Sequence, residues 1–343
     1  MSPRPPDAVF VGVAMWDTVA RLPRFPDPDG RVVAEEMRTA GGGPASTAAV
    51  AAARLGLPSA LVAAVGDDRE AGLIADALRA EGVAADLRTV PGRASGSCVV
   101  LVDRARGSRA ICVLPGPDLE IPPDSPTAAR IRSARWLHVD HAGLPAVRPL
   151  LSALAPGTPR PTVSYDAGNL RPQRRPPEVD VYVPTVAALR DLYGPAAAPG
   201  AATVGDPADP ATTVDQAVPA DIADLLAAAR GDGASVVAAT DGAHGAYAAG
   251  PEGAYAVAGH TGIDVRSTLG AGDVFHGALV AALAGGMPLP AALAYANAAA
   301  ALSCRGLDGR GGIPDDAETR ALAARRPATS LTPDQPRTKR GEP

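Results

Sequence analysis

Residues 267–279 read Ser267-Thr268-Leu269-Gly270-Ala271-Gly272-Asp273-Val274-Phe275-His276-Gly277-Ala278-Leu279, a glycine-rich turn that runs directly into an apolar segment. Such a turn predicts a helix N-terminus, where the first amides lack intrahelical partners and the helix dipole is positive. The amides of Gly270, Ala271 and Gly272 suit a phosphate or a developing oxyanion, and an Asp in the first turn suits removal of a proton from a hydroxyl. The same residues also suit a plain tight turn with Asp273 as a helix cap. On this stretch alone both readings stand.

Outward from the turn, apolar runs at 8–13, 59–65, 135–139, 161–166, 180–183 and 235–239 read as buried strands, separated for the most part by Ala/Leu-rich stretches. Segments 44–55, 69–81, 217–230, 271–284 and 289–303 are expected to be helical, the last two apolar on every face and therefore central. Strands alternating with helices predict an α/β fold whose sheet is mostly parallel and covered on both faces. Segments 18–40 and 93–114 break the rhythm, because charged residues alternate there with Val, Leu and Ile as in a half-exposed antiparallel sheet lying over the main one. The Pro-, Ala-, Gly- and Asp-rich stretch 194–216 predicts a loose loop, and the polar, Pro-containing 325–343 a disordered tail, leaving one domain at 8–324.

The 343 residues carry a net charge of −5, and the one lysine, Lys339, lies in the tail. With no basic block there is no footprint for nucleic acid. Cys98, Cys112 and Cys304 lack the paired spacing of zinc or redox sites and are expected to be reduced. No signal-like segment and no run of membrane-spanning length is present, so the expected location is the cytoplasm, with no membrane partner. Aromatics at 3% leave the core to small aliphatic side chains.

A second stretch, Ala40-Gly41-Gly42-Gly43-Pro44-Ala45-Ser46-Thr47 continuing to Gly56, resembles the first signature of the PfkB carbohydrate kinases, and 267–279 resembles their second. Two signatures in this order favour the phosphate-binding reading of the turn. The resemblance takes in Val11 to Asp17 and the run from Ala300 to Arg305 continuing to Gly311 and Pro314, and is nearest in pattern to sulfofructose kinases and, less closely, ketohexokinases. It implies a ribokinase-like three-layer α/β/α fold with a small β lid. It also implies ATP and Mg2+ as cofactors and transfer of the γ-phosphate to a hydroxyl of a small sugar, a ketose such as sulfofructose or a fructose relative.

By motif, the resemblance makes Asp273 the catalytic base, beside Gly270, Ala271 and Gly272. Asp17 then hydrogen-bonds sugar hydroxyls, with a turn cap as its alternative role, and Gly42, Gly43 and Ser46 lie at the sugar. Thr240, Gly242 and Gly245 resemble a nucleotide loop, a plain β-turn being the competing reading. Asn297 resembles a position beside the adenine, and a buried amide held by backbone is its alternative. Asp166, followed by Asn169 and Arg171, either faces the phosphates or a metal's water shell or caps a turn. Lids of this kind often pair, which points to a homodimer through the lid.

The chain departs from the family pattern at three places. Ser46 stands where an Asn is usual, Ser267 where an Asp of a monovalent-cation site is common, and Thr185-Val186-Ala187-Ala188 where an Asn-x-x-Glu is expected. Magnesium is therefore expected to be held largely by ATP and water, and potassium to be dispensable. No protein ligand to a metal is assigned. His138, Asp140 and His141 end another strand, and since neighbours on a strand point to opposite faces they favour substrate contact over a metal site. Donors for a sulfonate are Arg109, His141 and the backbone around Gly43. A nucleoside kinase of the same fold is the nearest rival, opposed by the shortage of rings to stack a base. A non-catalytic ligand-binding protein on this fold is the third reading, opposed by the Gly270–Asp273 unit and Asp17.

Overall fold

The computed structural model describes residues 7–155, 157–168, 175–176, 178–194 and 218–331. The chain begins with β1 (Ala8–Val11), in which Ala8 and Phe10 pack into one core layer and Val9 and Val11 into another. A strand buried on both faces needs no polar side, which is why this run is continuous rather than alternating. Then follow β2 (Met15–Leu22), β3 (Glu36–Gly42), α1 (Pro44–Arg54), β4 (Ser59–Val65), α2 (Arg69–Ala80), β5 (Ala84–Thr89), β6 (Gly96–Asp103) and β7 (Ser108–Leu114). The middle of the chain supplies α3 (Pro126–Ser133), β8 (Trp136–Val139), α4 (Gly143–Ser152), β9 (Thr162–Asp166), β10 (Val181–Val183), α5 (Val186–Tyr193) and α6 (Ile222–Gly231). It closes with β11 (Val236–Thr240), β12 (Gly245–Gly250), β13 (Gly253–Ala258), α7 (Ala271–Ala284), α8 (Leu289–Ser303), α9 (Asp316–Ala323) and β14 (Thr329–Ser330).

Ten strands form one sheet in the order β14-β13-β12-β11-β10-β9-β8-β1-β4-β5, parallel from β5 to β11 and antiparallel beyond. From β1 the chain builds outward to β4 and β5 on one side, then through β8 to β11 on the other. The order thus reverses at β1, and in open α/β sheets ligands gather outside the carboxyl ends of the strands at such a point. One face packs against α1, α2, α7 and α8, the other against α3, α4, α5 and α6. This is the ribokinase-like three-layer α/β/α architecture that the sequence implies.

Helices α7 and α8 lie in the core, as their all-round apolarity predicts. Gly277 brings α1 against α7, because a Cβ there would fall on the Ala48 carbonyl. With few rings to fill space, the core reaches its density through close backbone approach between small residues.

A second sheet, ordered β3-β2-β6-β7, occupies the two segments whose pattern broke the rhythm. Its central pair, β2 with β6, is parallel rather than antiparallel, because the chain passes through β3 to β5 between them. One face turns Val19, Val100 and Val102 onto Leu307, while Met37 and Val99 on the other face are exposed. That asymmetry is the source of the alternating sequence pattern.

The sequence reading misses β5, β12 and β13. Gly245–Gly250 reads Gly-Ala-Tyr-Ala-Ala-Gly, which lacks the β-branched residues that mark strands. Short helices α3, α4, α5 and α9 were also beyond it. The tail expected to be disordered from 325 is corrected: it continues as β14, whose Thr329 and Ser330 pair with Ala256 and Tyr255. A two-residue edge strand is too short to show a period. Asn169, Arg171, 195–217 and 332–343 lie outside the described residues. Among the described residues no helix is long and apolar enough to cross a membrane.

Candidate active site

Gly270, immediately before α7, has φ 76°, and a Cβ on it would lie 2.8 Å from Gly309. Left-handed backbone and close approach both require glycine here. The Cys304 carbonyl accepts from the amides of Arg266 and Ser267, and the Ser267 hydroxyl accepts from the amide of Leu269. So held, the turn presents the N-terminus of a 14-residue helix, and the space beside Gly272 is open. The Ala271 amide donates to the Thr268 carbonyl at 3.4 Å, which leaves those of Gly270, Gly272 and Asp273 to an anion.

Asp273 lies in this first turn, half-buried. Burial, and after it the negative charges of Asp166, Asp140 and Asp17, push its carboxyl up to about 7, with His276 acting in the opposite direction. A carboxyl with that affinity for protons is matched to general-base work near neutral pH. His276, one turn along α7, sits 3.2 Å from an Asp166 oxygen that also accepts from the Gly168 amide. Against the effect of burial, His276 holds Asp166 down to about 2. Burial alone would lower His276, but Asp166 and then Asp273 raise it above its ordinary value. His138, whose ring centroid is 5.5 Å from that of His276, is driven by burial to about 3 and stays neutral. A buried Asp166–His276 ion pair therefore stands behind the candidate base. Its signal was present in the sequence, since positions 273 and 276 share a helix face.

Asp17 is buried on β2 and lies against Gly42, where a Cβ would collide with the carboxylate. Burial raises its pKa, opposed by a hydrogen bond with the Cys98 thiol and by the charge of Arg310. Gly43, with φ 91°, turns β3 into α1 beneath the Val13 carbonyl. Ser46 is buried and accepts from Arg310 Nη2 at 2.6 Å, and the same nitrogen donates to the Gly42 carbonyl at 3.1 Å. The backbone carbonyls of Arg310 and Ile313 accept from Arg54, fixing this loop to α1. Asp17, Gly42, Gly43, Ser46 and Asp273 are therefore brought to one region, with Arg310 among them. The sequence reading passed over Arg310, although a lone Arg amid Gly306, Gly309, Gly311 and Gly312 was a signal.

Other sequence candidates fall elsewhere. Asp140, expected to contact substrate, is instead a structural tie. Its two oxygens accept from the amides of Val13, Ala45, Ala142 and Gly143, joining the ends of β1 and β8 to the starts of α1 and α4. His141 beside it is exposed, and His138 is in the core. Arg109 hydrogen-bonds Thr268 of the turn at 2.5 Å, four positions along β7 from Val113, which is level with Cys98 and Asp17. Thr240 ends β11, and Gly242 and Gly245 bracket a tight turn with φ 55° and 113°. Asn297 is buried and donates to the Ala258 carbonyl at 3.0 Å, which satisfies its amide with backbone. Thr185 caps α5 through the Ala188 amide, so the first turn of that helix carries no carboxylate. No group of three or more His, Cys, Asp or Glu side chains able to hold a metal occurs among the described residues.

Known proteins resemble this chain over most of its length. The family profile described as pfkB family carbohydrate kinase matches residues 6–316. A relative from Halopiger xanaduensis named ATP-dependent ribose-1-phosphate kinase is 30% identical over 322 residues, covering 91% of this chain and 95% of its own. A nucleoside kinase from Methanothermobacter thermautotrophicus is 35% identical over 77 residues, 22% of this chain and 25% of its own. Among solved structures, a ribokinase from Arabidopsis thaliana complexed with ribose and ATP superimposes with TM-score 0.71 at 24% identity, covering 93% of this chain and 99% of that one. A Thermotoga maritima ribokinase gives TM-score 0.72 at 20% identity, covering 92% and 99%. The chain belongs to the pfkB family of carbohydrate kinases. It is accordingly a phosphotransferase with an alcohol acceptor, a sugar or nucleoside kinase on the ribokinase fold.

Proposed function

We propose that this chain transfers the γ-phosphoryl group of ATP to a hydroxyl of a small sugar lying between Asp17 and the first turn of α7. The observation that carries the reading is Asp273, a half-buried carboxyl at about 7 in the first turn of an open helix N-terminus, within the field of Asp17. Asp273 takes the hydroxyl proton as the new O–P bond forms and the bond to the departing ADP breaks. The amides of Gly270 and Gly272 face the charge carried by the transferred group, while that of Ala271 holds the turn through the Thr268 carbonyl. Magnesium, bound to the nucleotide, neutralises phosphate charge. With no carboxylate in the first turn of α5, that helix would offer it no ligand, and water and phosphate oxygens would hold it. The turn at 240–245 serves the nucleotide, and the second sheet serves as the lid.

Ketoses such as fructose or sulfofructose, and ribose 1-phosphate on the strength of the Halopiger relative, are the first acceptors to test. Nucleosides follow, although the Asp17 face of the second sheet carries Val19, Val100 and Val113 rather than rings. The deciding experiment is ADP release with each acceptor class in the presence of Mg-ATP. Turnover with one class identifies the acceptor, and turnover with none removes the proposal.

A further inference from the structure

The second sheet grips the main body within the four residues that precede Gly270. Arg109, on the β7 edge, donates from Nη1 to the Thr268 hydroxyl at 2.5 Å, and Glu36, on the β3 edge, pairs with Arg266. Leu269 packs against the cluster of Val19, Cys98, Val100, Val102 and Leu307. Glu36, Arg21, Val102 and Arg109 stand level across the four strands, so both polar contacts come from one row of the sheet. Arg21 lies four positions from Asp17 on β2, which puts that row on the face that carries Asp17. Burial raises the Cys304 thiol and the charge of Arg109 opposes it, so the guanidinium also lies near the residue whose carbonyl holds the amides of Arg266 and Ser267.

Resting on the kinase reading above, we propose that Arg109 is a positioning residue for phosphoryl transfer: from the second sheet it holds Thr268, and so fixes the turn from which the amides of Gly270 and Gly272 meet the transferred group. Thr268 is two residues before Gly270, and its carbonyl takes the Ala271 amide, so a shift of Thr268 is passed to both sides of Gly270. Donors to a transferring phosphoryl group work only where they are already aimed, and a small misplacement is felt directly in the rate. The effect is on this geometry and not on the fold. Arg109 and Thr268 are both exposed, and a bond between exposed groups adds little to stability. A sheet that carries Asp17 and Arg109 on one face thereby connects the sugar side of the site with its phosphate side. Lysine, a point donor on a flexible stem, would hold Thr268 less firmly than the planar guanidinium does.

The test measures kcat and KM with D-ribose, D-fructose and ribose 1-phosphate in wild type, Arg109→Met, Arg109→Lys, Thr268→Val and the double variant Arg109→Met with Thr268→Val. Rates are taken per nucleotide site counted by calorimetry, so partial misfolding of a variant leaves the readout intact. For whichever acceptor is turned over, Arg109→Met should lower kcat about 5- to 10-fold, the value of a partly exposed hydrogen bond from a charged donor, with sugar KM within about 3-fold of wild type. Arg109→Lys should lie between the two. Thr268→Val should match Arg109→Met, and the double variant should fall no further than either alone, because both remove one contact. An unchanged kcat in Arg109→Met, a loss carried by sugar KM instead, or effects that add in the double variant each overturn the proposal while leaving the kinase intact. Wild type that turns over none of these acceptors counts against the kinase reading itself. The proposal is then decided by amide hydrogen exchange, which should run about 5-fold faster at Arg266, Ser267 and Leu269 in Arg109→Met than in wild type, and equal exchange overturns it.

Discussion

Asp273 has to be sheltered enough to bind a proton near neutral pH yet open enough to meet a substrate. Its position on the first turn of α7, behind the left-handed Gly270 and ahead of the Asp166–His276 pair, provides both. The carboxylate form is the active one, so kcat/KM should rise with pH through an apparent pKa near 7. His276 stabilises that carboxylate, and its removal in His276→Gln should move the acidic limb to higher pH. A pH–rate profile of the two proteins checks this, and a limb that stays put or moves down would detach His276 from the base. The raised pKa also has a stability consequence. A carboxyl that is harder to ionise when folded contributes most below the unfolded value of 3.8, and that contribution is lost as pH rises toward about 7. Asp273→Asn should therefore raise Tm at pH 8 while lowering turnover, a combination that differential scanning calorimetry and an activity assay read directly.

At the scale of elements, the site depends on ties that sequence patterning does not report. The strands β1, β4, β8, β9 and β11 and the helices α1, α7 and α8 were legible because buried strands and all-round apolar helices leave continuous runs. That Asp17, Gly42, Gly43 and Asp273 come to one region was legible because the entry strand and two motifs carry the resemblance. Arg310 was marked in the sequence only by its setting among glycines, and its hydrogen bonds to the Gly42 carbonyl and the Ser46 hydroxyl arise only once its loop packs Gly309 onto Gly270. Asp140 was misread for a related reason: a carboxylate at a strand end looks the same in sequence whether it meets a ligand or four backbone amides. That tie predicts a large structural effect. Asp140→Ala strands donors at the starts of α1 and α4 and in the β1–β2 link, and at about 1–3 kcal/mol per buried group the loss should be about 3 kcal/mol or more. Chemical denaturation of the variant measures it, and a loss under about 1 kcal/mol would show that the amides find other partners.

For the whole molecule, strand order reverses at β1, and the second sheet reaches the turn before α7 through the hydrogen bond from Arg109 to Thr268. If that sheet closes on sugar and excludes water, ATP hydrolysis without sugar should run far below the rate with sugar. Equal rates would mean that the sheet does not act as a lid. Met37, Val99 and Leu114 are 63%, 48% and 55% exposed on the face turned away from Asp17, which supports our proposal of a homodimer through this sheet. Sedimentation of wild type beside Val99→Glu distinguishes a dimer that the charge splits from a monomer that it leaves unchanged.

The central claim, that Asp273 removes the proton from a sugar hydroxyl, is tested most directly by ADP release from Asp273→Asn beside calorimetric binding of sugar and nucleotide. Asn keeps the size of the side chain and removes the carboxylate. Turnover should fall about 10²- to 10⁴-fold, as loss of a general base does, while both ligands bind within a few-fold of wild type. Turnover close to wild type, with binding intact, would contradict the account.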